Sequence, residues 1–110
     1  MLNPGDVVLI EFPGARERKY RPVVVISTDL YHHNRPDIIV SEITSQIRKA
    51  TAPTDYVLKD WQAAGLDIPS AFRVYIYTTL PGMVKRIGKL TPTDWQAVQE
   101  RLCLVLDTGK

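Results

Sequence analysis

The sequence predicts a mainly β domain, a sandwich or small barrel, that carries one C-terminal helix. Short runs rich in β-branched and aromatic residues recur at roughly ten-residue spacing. Turns containing Pro or Gly separate several of them. The hydrophobic period changes from strand-like to helical only after Thr91. With 110 residues, 45% of them hydrophobic, the chain is the size of one domain that buries a single core without disulfides or metal.

The elements follow in order. Asn3-Pro4-Gly5-Asp6 is turn chemistry, and Val7 to Phe12 is the first strand, ended by Pro13-Gly14. A basic loop runs to Tyr20. Pro22 opens the second strand, where a missing N–H does least harm. Val23 to Ser27 is a nearly continuous apolar run, as expected of a central strand buried on both faces. Thr28 to Asp37 is polar and is expected as loop. Ile38 to Ile43 is the third strand, with Thr44-Ser45-Gln46 as its polar exit. Tyr56 to Leu58 is a short fourth strand, and 59–70 is expected as loop because a single turn ended by Gly65 is too short for a stable helix. Phe72 to Tyr77 and Met83 to Leu90 complete the strands. Thr91 then suits an N-cap, Pro92 the first helical position, and Asp94 the acidic end of a capping box. Trp95, Val98, Leu102, Val105 and Leu106 fall on one stripe, with Cys103 beside it as inert core.

Composition narrows the function. One cysteine cannot form an internal disulfide, and no Cys/His cluster has zinc spacing, which fits a reducing cytoplasm. The N-terminus lacks a signal-peptide pattern, and no apolar run approaches the roughly 18 residues of a membrane span. Net charge is +2, with a pI near 8.8, which suits an anionic partner. Arg16, Arg18, Lys19 and Arg21 crowd one segment, offset by Glu17 alone, and Arg48 and Lys49 follow the third strand. Arg21 enters one buried strand and Thr44 leaves the next, so a cation and a hydroxyl can meet a phosphate there. His32 and His33 are adjacent, their side chains diverge, and no third ligand has a recognisable spacing. Both read as loop residues.

Four stretches carry a resemblance: G-D-V-V-L-I-E-F-P, R-P-V-V-V-I-S-T-D, I-I-V-S-E-I-T-S-Q-I-R-K and R-I-G-K-L-T-P-T-D-W. In this order they resemble the PemK/MazF family of toxins from type II toxin-antitoxin systems, over nearly the whole chain. The resemblance implies an SH3-like barrel of the CcdB/MazF kind with a C-terminal helix, and a homodimer. It also implies an endoribonuclease that cuts single-stranded RNA without metal or other cofactor and is restrained by a cognate antitoxin. In that family the Arg of R-P and the Thr of I-T-S-Q are associated with cleavage, here Arg21 and Thr44.

Chemistry supports those two. Metal-free cleavage uses the RNA's own 2′-hydroxyl, so the protein must orient it, stabilise charge at phosphorus and assist proton transfer. Arg21 forks onto phosphate oxygens, and Thr44 can hydrogen-bond a non-bridging oxygen or the leaving group. Glu17 is a candidate proton acceptor, with His32 and His33 as alternatives. Arg18, Lys19, Arg48 and Lys49 would supply phosphate affinity, Ser45 and Gln46 would help hold the backbone, and Tyr20 or Phe12 could stack a base, Phe12 reading more readily as core. The antitoxin is expected to lay an acidic, partly disordered segment over Arg21 and the basic loop.

One departure stands out. Many family members follow the fifth strand with Q-[IV]-R-[TA]-[IL]-D. That Arg falls here at Thr78 and that Asp at Pro81, in a loop about two residues shorter than the family pattern, so Arg73 or Lys85 would have to replace the charge. A second class therefore stands beside the nuclease, a binder on the same fold that is catalytically silent or poisons a protein, as CcdB toxins poison DNA gyrase.

Overall fold

Alternation along one strand explains the architecture. Val23, Val24 and Val25 are at most 1% exposed. Val24 packs with Val7, Ile43, Phe72 and Val98, whereas Val23 and Val25 pack with Val8, Ile10, Ile38 and Val40. Successive side chains leave a strand on opposite faces, so the sheet holds a core on each face.

The computed structural model describes residues 1–13 and 18–109, with the backbone alone at Phe12, Pro13 and Arg18. Its strands are β1 (Asp6–Pro13), β2 (Arg18–Val25), β3 (Ile38–Thr44), β4 (Tyr56–Val57), β5 (Ala71–Thr79) and β6 (Val84–Lys89), and its helices α1 (Asp29–Asn34) and α2 (Pro92–Val105). The strands form one antiparallel sheet in the order β4-β5-β3-β2-β1-β6. The expected mainly β fold with a C-terminal helix is present. The sheet is not closed by hydrogen bonds, because β4 and β6 stand at its ends. Backbone packing bridges them instead. Gly65, at φ +86°, lies against the Ile87 carbonyl, and Gly88 lies against that of Ala64, so closely that a Cβ at either would overlap the opposing backbone.

Three expectations change. Pro22 lies inside β2, which begins at Arg18, and the proline is accommodated because β3 pairs only with Val23–Val25, leaving that side unpaired. The expected loop after β2 contains α1. Thr28 caps it by accepting from the Tyr31 N–H at 3.3 Å, Asp29 suits its first turn, and the buried His32 ring meets both the Leu2 carbonyl, at 3.1 Å, and the Ser27 hydroxyl. On α2, Val98 is buried and Trp95 and Leu102 pack against the core, but Val105 and Leu106 are exposed, as is Cys103. The helix stripe leaves the sheet after Leu102, so the cysteine is a surface thiol rather than inert core.

Asp94 also differs from its expected role. Thr91 does cap α2, accepting from the Asp94 N–H at 3.4 Å. The fully buried Asp94 carboxylate accepts from the Tyr56 hydroxyl at 2.6 Å, the Lys59 N–H at 3.1 Å and the Asp60 N–H at 2.8 Å. It thereby ties the segment after β4 to the helix. Burial, reinforced by the bond to Asp94, raises the Tyr56 pKa.

Replacing Asp94 with Ala strands three donors, and should cost roughly 3 kcal/mol or more as a lower urea midpoint. Gly88→Ala should cost about 2 kcal/mol in the same measurement, because the added Cβ meets backbone that has no rotamer to change. A tyrosine whose folded pKa is raised holds its stabilisation below its unfolded value and loses it above. Unfolding free energy should therefore fall as pH rises past about 10, and Tyr56→Phe should flatten part of that slope.

Candidate functional site

The site begins where β2 and β3 part. Val23 and Glu42 are the outermost paired residues of the two strands. Beyond them β2 continues only with β1, through Ile10 and Arg21, and β3 only with β5, through Thr44 and Ala71. Arg21 and Thr44 each stand two residues past the last rung, so they share the face of Val23 and Glu42 and flank the opening between the strands.

That opening is a groove of about 730 Å³. Tyr20, Arg21, Glu42, Thr44, Ser45 and Gln46 line it from β2 and β3, and Leu66, Asp67, Ile68 and Ser70 from the segment after β4. Leu9, Pro22, Ile43 and Ile87 supply apolar lining. Thr44 Oγ1 accepts the Gln46 N–H at 3.1 Å, which orients the hydroxyl while keeping its own proton for an acceptor on a ligand. Glu42 and Thr44 are half-buried, and Arg21, Ser45 and Gln46 are exposed.

The structure thus brings five predicted residues into one groove: Tyr20, Arg21, Thr44, Ser45 and Gln46. Arg48 and Lys49 lie on an exposed 3₁₀ turn just beyond Gln46, and Lys19 is exposed on β2. Glu17 and Arg16 lie outside the described residues, as do the side chains of Arg18 and Phe12. The histidines do not reach the groove. The His32 side chain is covered in its bridge between Ser27 and Leu2, and His33 is exposed on α1. Thr78 pairs with Ile39 and Pro81 opens a 3₁₀ turn, both away from the groove lining. Neither Arg73, 3.7 Å from Asp55, nor Lys85 lines it.

Sequence reasoning missed a second recess of about 410 Å³, lined by Arg21, Glu42, Tyr75 and Tyr77. Strand parity was the available signal, since Glu42 is two residues from Thr44 and must share its face. Tyr77 pairs in register with Val40, whereas Tyr75 lies in a bulge. From Ser41 to Ile43 β3 advances two residues while β5 advances four, from Ile76 back to Phe72. The buried Ser41 hydroxyl fills the irregularity, donating to the Arg73 carbonyl at 2.7 Å and accepting the Tyr75 N–H at 3.1 Å. Burial first, and the Glu42 charge second, raise the Tyr77 pKa against the opposing effect of Arg21, so this phenol stays protonated well beyond neutral pH.

Residues 3–106 match the family model of PemK-like, MazF-like toxins of type II toxin-antitoxin systems, and the chain belongs to that family. An endoribonuclease MazF of Staphylococcus saprophyticus is 39% identical over 57 residues, a stretch covering 49% of this chain and 48% of the relative. The chain therefore matches about half the length of that curated relative. A mycobacterial endoribonuclease solved with its cognate antitoxin superposes with a TM-score of 0.73 at 14% identity, covering 98% of this chain and 97% of the other. MazF from a MazE–MazF structure of Deinococcus radiodurans gives 0.74 at 13% identity, covering 94% of each. The Mycobacterium tuberculosis toxin MazF-mt6 gives 0.68 at 20% identity, covering 88% and 91%. These likenesses establish the fold.

Removing the plug of the β5 bulge should be measurable. Ser41→Ala leaves the Arg73 carbonyl and the Tyr75 N–H without this partner and should lower stability by about 1–2 kcal/mol in thermal or urea unfolding.

Proposed function

We propose that this protein is a toxin endoribonuclease that cleaves single-stranded RNA in the groove between β2 and β3. The carrying observation is the register. Arg21 and Thr44 each stand two residues beyond the last shared rung, on one face and at one groove. A guanidinium and an oriented hydroxyl so placed can hold the non-bridging oxygens of one phosphate. Family membership and a relative named as an endoribonuclease support the same reading.

The chemistry is transesterification within the RNA. The 2′-oxygen attacks phosphorus as its proton leaves to a base, the bond to the 5′-oxygen breaks, and that oxygen takes up a proton. The products are a 2′,3′-cyclic phosphate and a 5′-hydroxyl. Arg21 stabilises the charge that builds on the phosphoryl oxygens, and Thr44 donates to one of them. Ser45 and Gln46 shape the exit of β3, and Tyr20, 57% exposed at the groove edge, offers a face for a base. Glu17 is the proposed proton acceptor. Arg18, Lys19, Arg48 and Lys49 add phosphate affinity outside the reacting centre.

The partner that restrains it is an antitoxin with an acidic segment laid across the same groove. Solved relatives include a toxin with its cognate antitoxin and a MazE–MazF pair, which supports a protein partner of this kind. Its place of action is the cytoplasm, where single-stranded RNA and antitoxin meet.

Purified protein freed of antitoxin should cut a mixed single-stranded RNA pool in EDTA and leave 2′,3′-cyclic phosphate ends. Arg21→Ala and Thr44→Ala should each lower the cleavage rate by about 100-fold or more, with circular dichroism unchanged. Absence of cutting by the unmodified chain, or growth arrest that survives both substitutions, would count against this reading and for the binder.

A further inference from the structure

We propose that the recess formed by Arg21, Glu42, Tyr75 and Tyr77 is a guanine-binding subsite that reads one nucleotide of the RNA next to the scissile phosphate. The inference rests on the ribonuclease reading and assigns a sequence preference to it.

Three observations carry it. Arg21 and Glu42 line both the groove and the recess, so the two cavities meet at these side chains. A phosphate held by Arg21 in the groove leaves an adjoining base within reach of the recess. Second, Tyr75 is 67% exposed although it is a large aromatic in mid-strand, and it sets its ring edge-to-face with Tyr77, with centroids 6.1 Å apart and planes at 68°. One aromatic is thereby braced by another, and its outer face is open for a base to stack on. Third, the half-buried Glu42 lines the recess together with the cation and the phenols.

The donor and acceptor pattern selects the base. A carboxylate only accepts. Guanine presents N1–H and N2–H₂ side by side on its Watson–Crick edge, which matches two carboxylate oxygens. Adenine and cytosine each set a ring-nitrogen acceptor beside their amino group, and uracil flanks its one N–H with carbonyls. All three would face the carboxylate with a lone pair. Single-stranded RNA leaves this edge unpaired for reading. The Tyr77 hydroxyl, protonated at neutral pH, adds a donor for the guanine carbonyl. The Ser41 plug holds the backbone beneath Tyr75 at the bulge, so the stacking face belongs to a fixed part of the sheet.

The test separates this subsite from the nuclease reading. A randomised pool of 2′-O-methyl hexanucleotides, which lack the attacking hydroxyl, is selected on the protein and sequenced. Guanine should be enriched at one position, and its replacement by adenine in the selected oligomer should weaken binding roughly ten-fold or more. Glu42→Gln should erase most of that discrimination. Tyr75→Ala should weaken binding of every base roughly ten-fold, and Tyr75→Phe should restore it. No enriched base, enrichment of a base other than guanine, or a guanine preference unchanged in Glu42→Gln would overturn the subsite. The all-ribose form of the selected oligomer then distinguishes the two ideas. Cutting without base preference keeps the nuclease and removes the subsite, whereas guanine-selective binding without cutting does the reverse.

Discussion

The structure depends on how little of β2 is shared. Only Val23 and Val24 are paired on both sides, and with Val25 their side chains are among the most deeply buried of the described residues. Their alternation seeds a core on each face of the sheet. Where the shared segment ends, hydrogen bonding can no longer hold β2 to β3, and the strands diverge. The groove is the direct outcome of that divergence. Arg21 and Thr44 are placed at it by register alone, each two residues past a rung anchored in the core.

The far wall of the groove is made differently. It comes from a segment without regular strand structure, which by itself would have little to fix its position. Asp94 supplies the anchor, drawing Tyr56, Lys59 and Asp60 to the start of α2. The contact between Gly65 and Gly88 then presses the segment onto β6. A buried carboxylate is tolerated in this role because hydroxyl and amide donors replace its water. One wall is thus set by a ladder and the other by a helix-borne anion.

Much of the fold was legible because strands and the C-terminal helix have strong local signals. The β-branched runs, the turns and the Thr91-Pro92 start of α2 all fell within a few residues of their structural positions. Arg21 and Thr44 were legible as ends of neighbouring runs. The helix α1 was harder, since beyond its local cap it is tied down by His32 reaching Leu2, a partner 30 residues away. Asp94 misled for the same reason. Its spacing from Thr91 suits a local cap, but its partners lie more than 30 residues back. Tyr75 stayed hidden because a bulge, which changes the count along one strand only, has no period to read, and Tyr77 because its pairing with Val40 is a long-range register. The missing family Arg and Asp were visible as Thr78 and Pro81, yet only the structure places those positions away from the groove.

The Ser41 plug has an evolutionary consequence. It absorbs the irregularity of β5 locally, between Ile76 and Phe72, while the partnership of Thr44 with Ala71 remains in register on its outer side. Side chains borne by the bulge can therefore be exchanged between lineages without shifting the strand end that carries Thr44. The strand end that carries Thr44 and the surface beside it are mechanically decoupled. A lineage can redraw the second while inheriting the first, and family members that share an Arg and a Thr need not share what surrounds them.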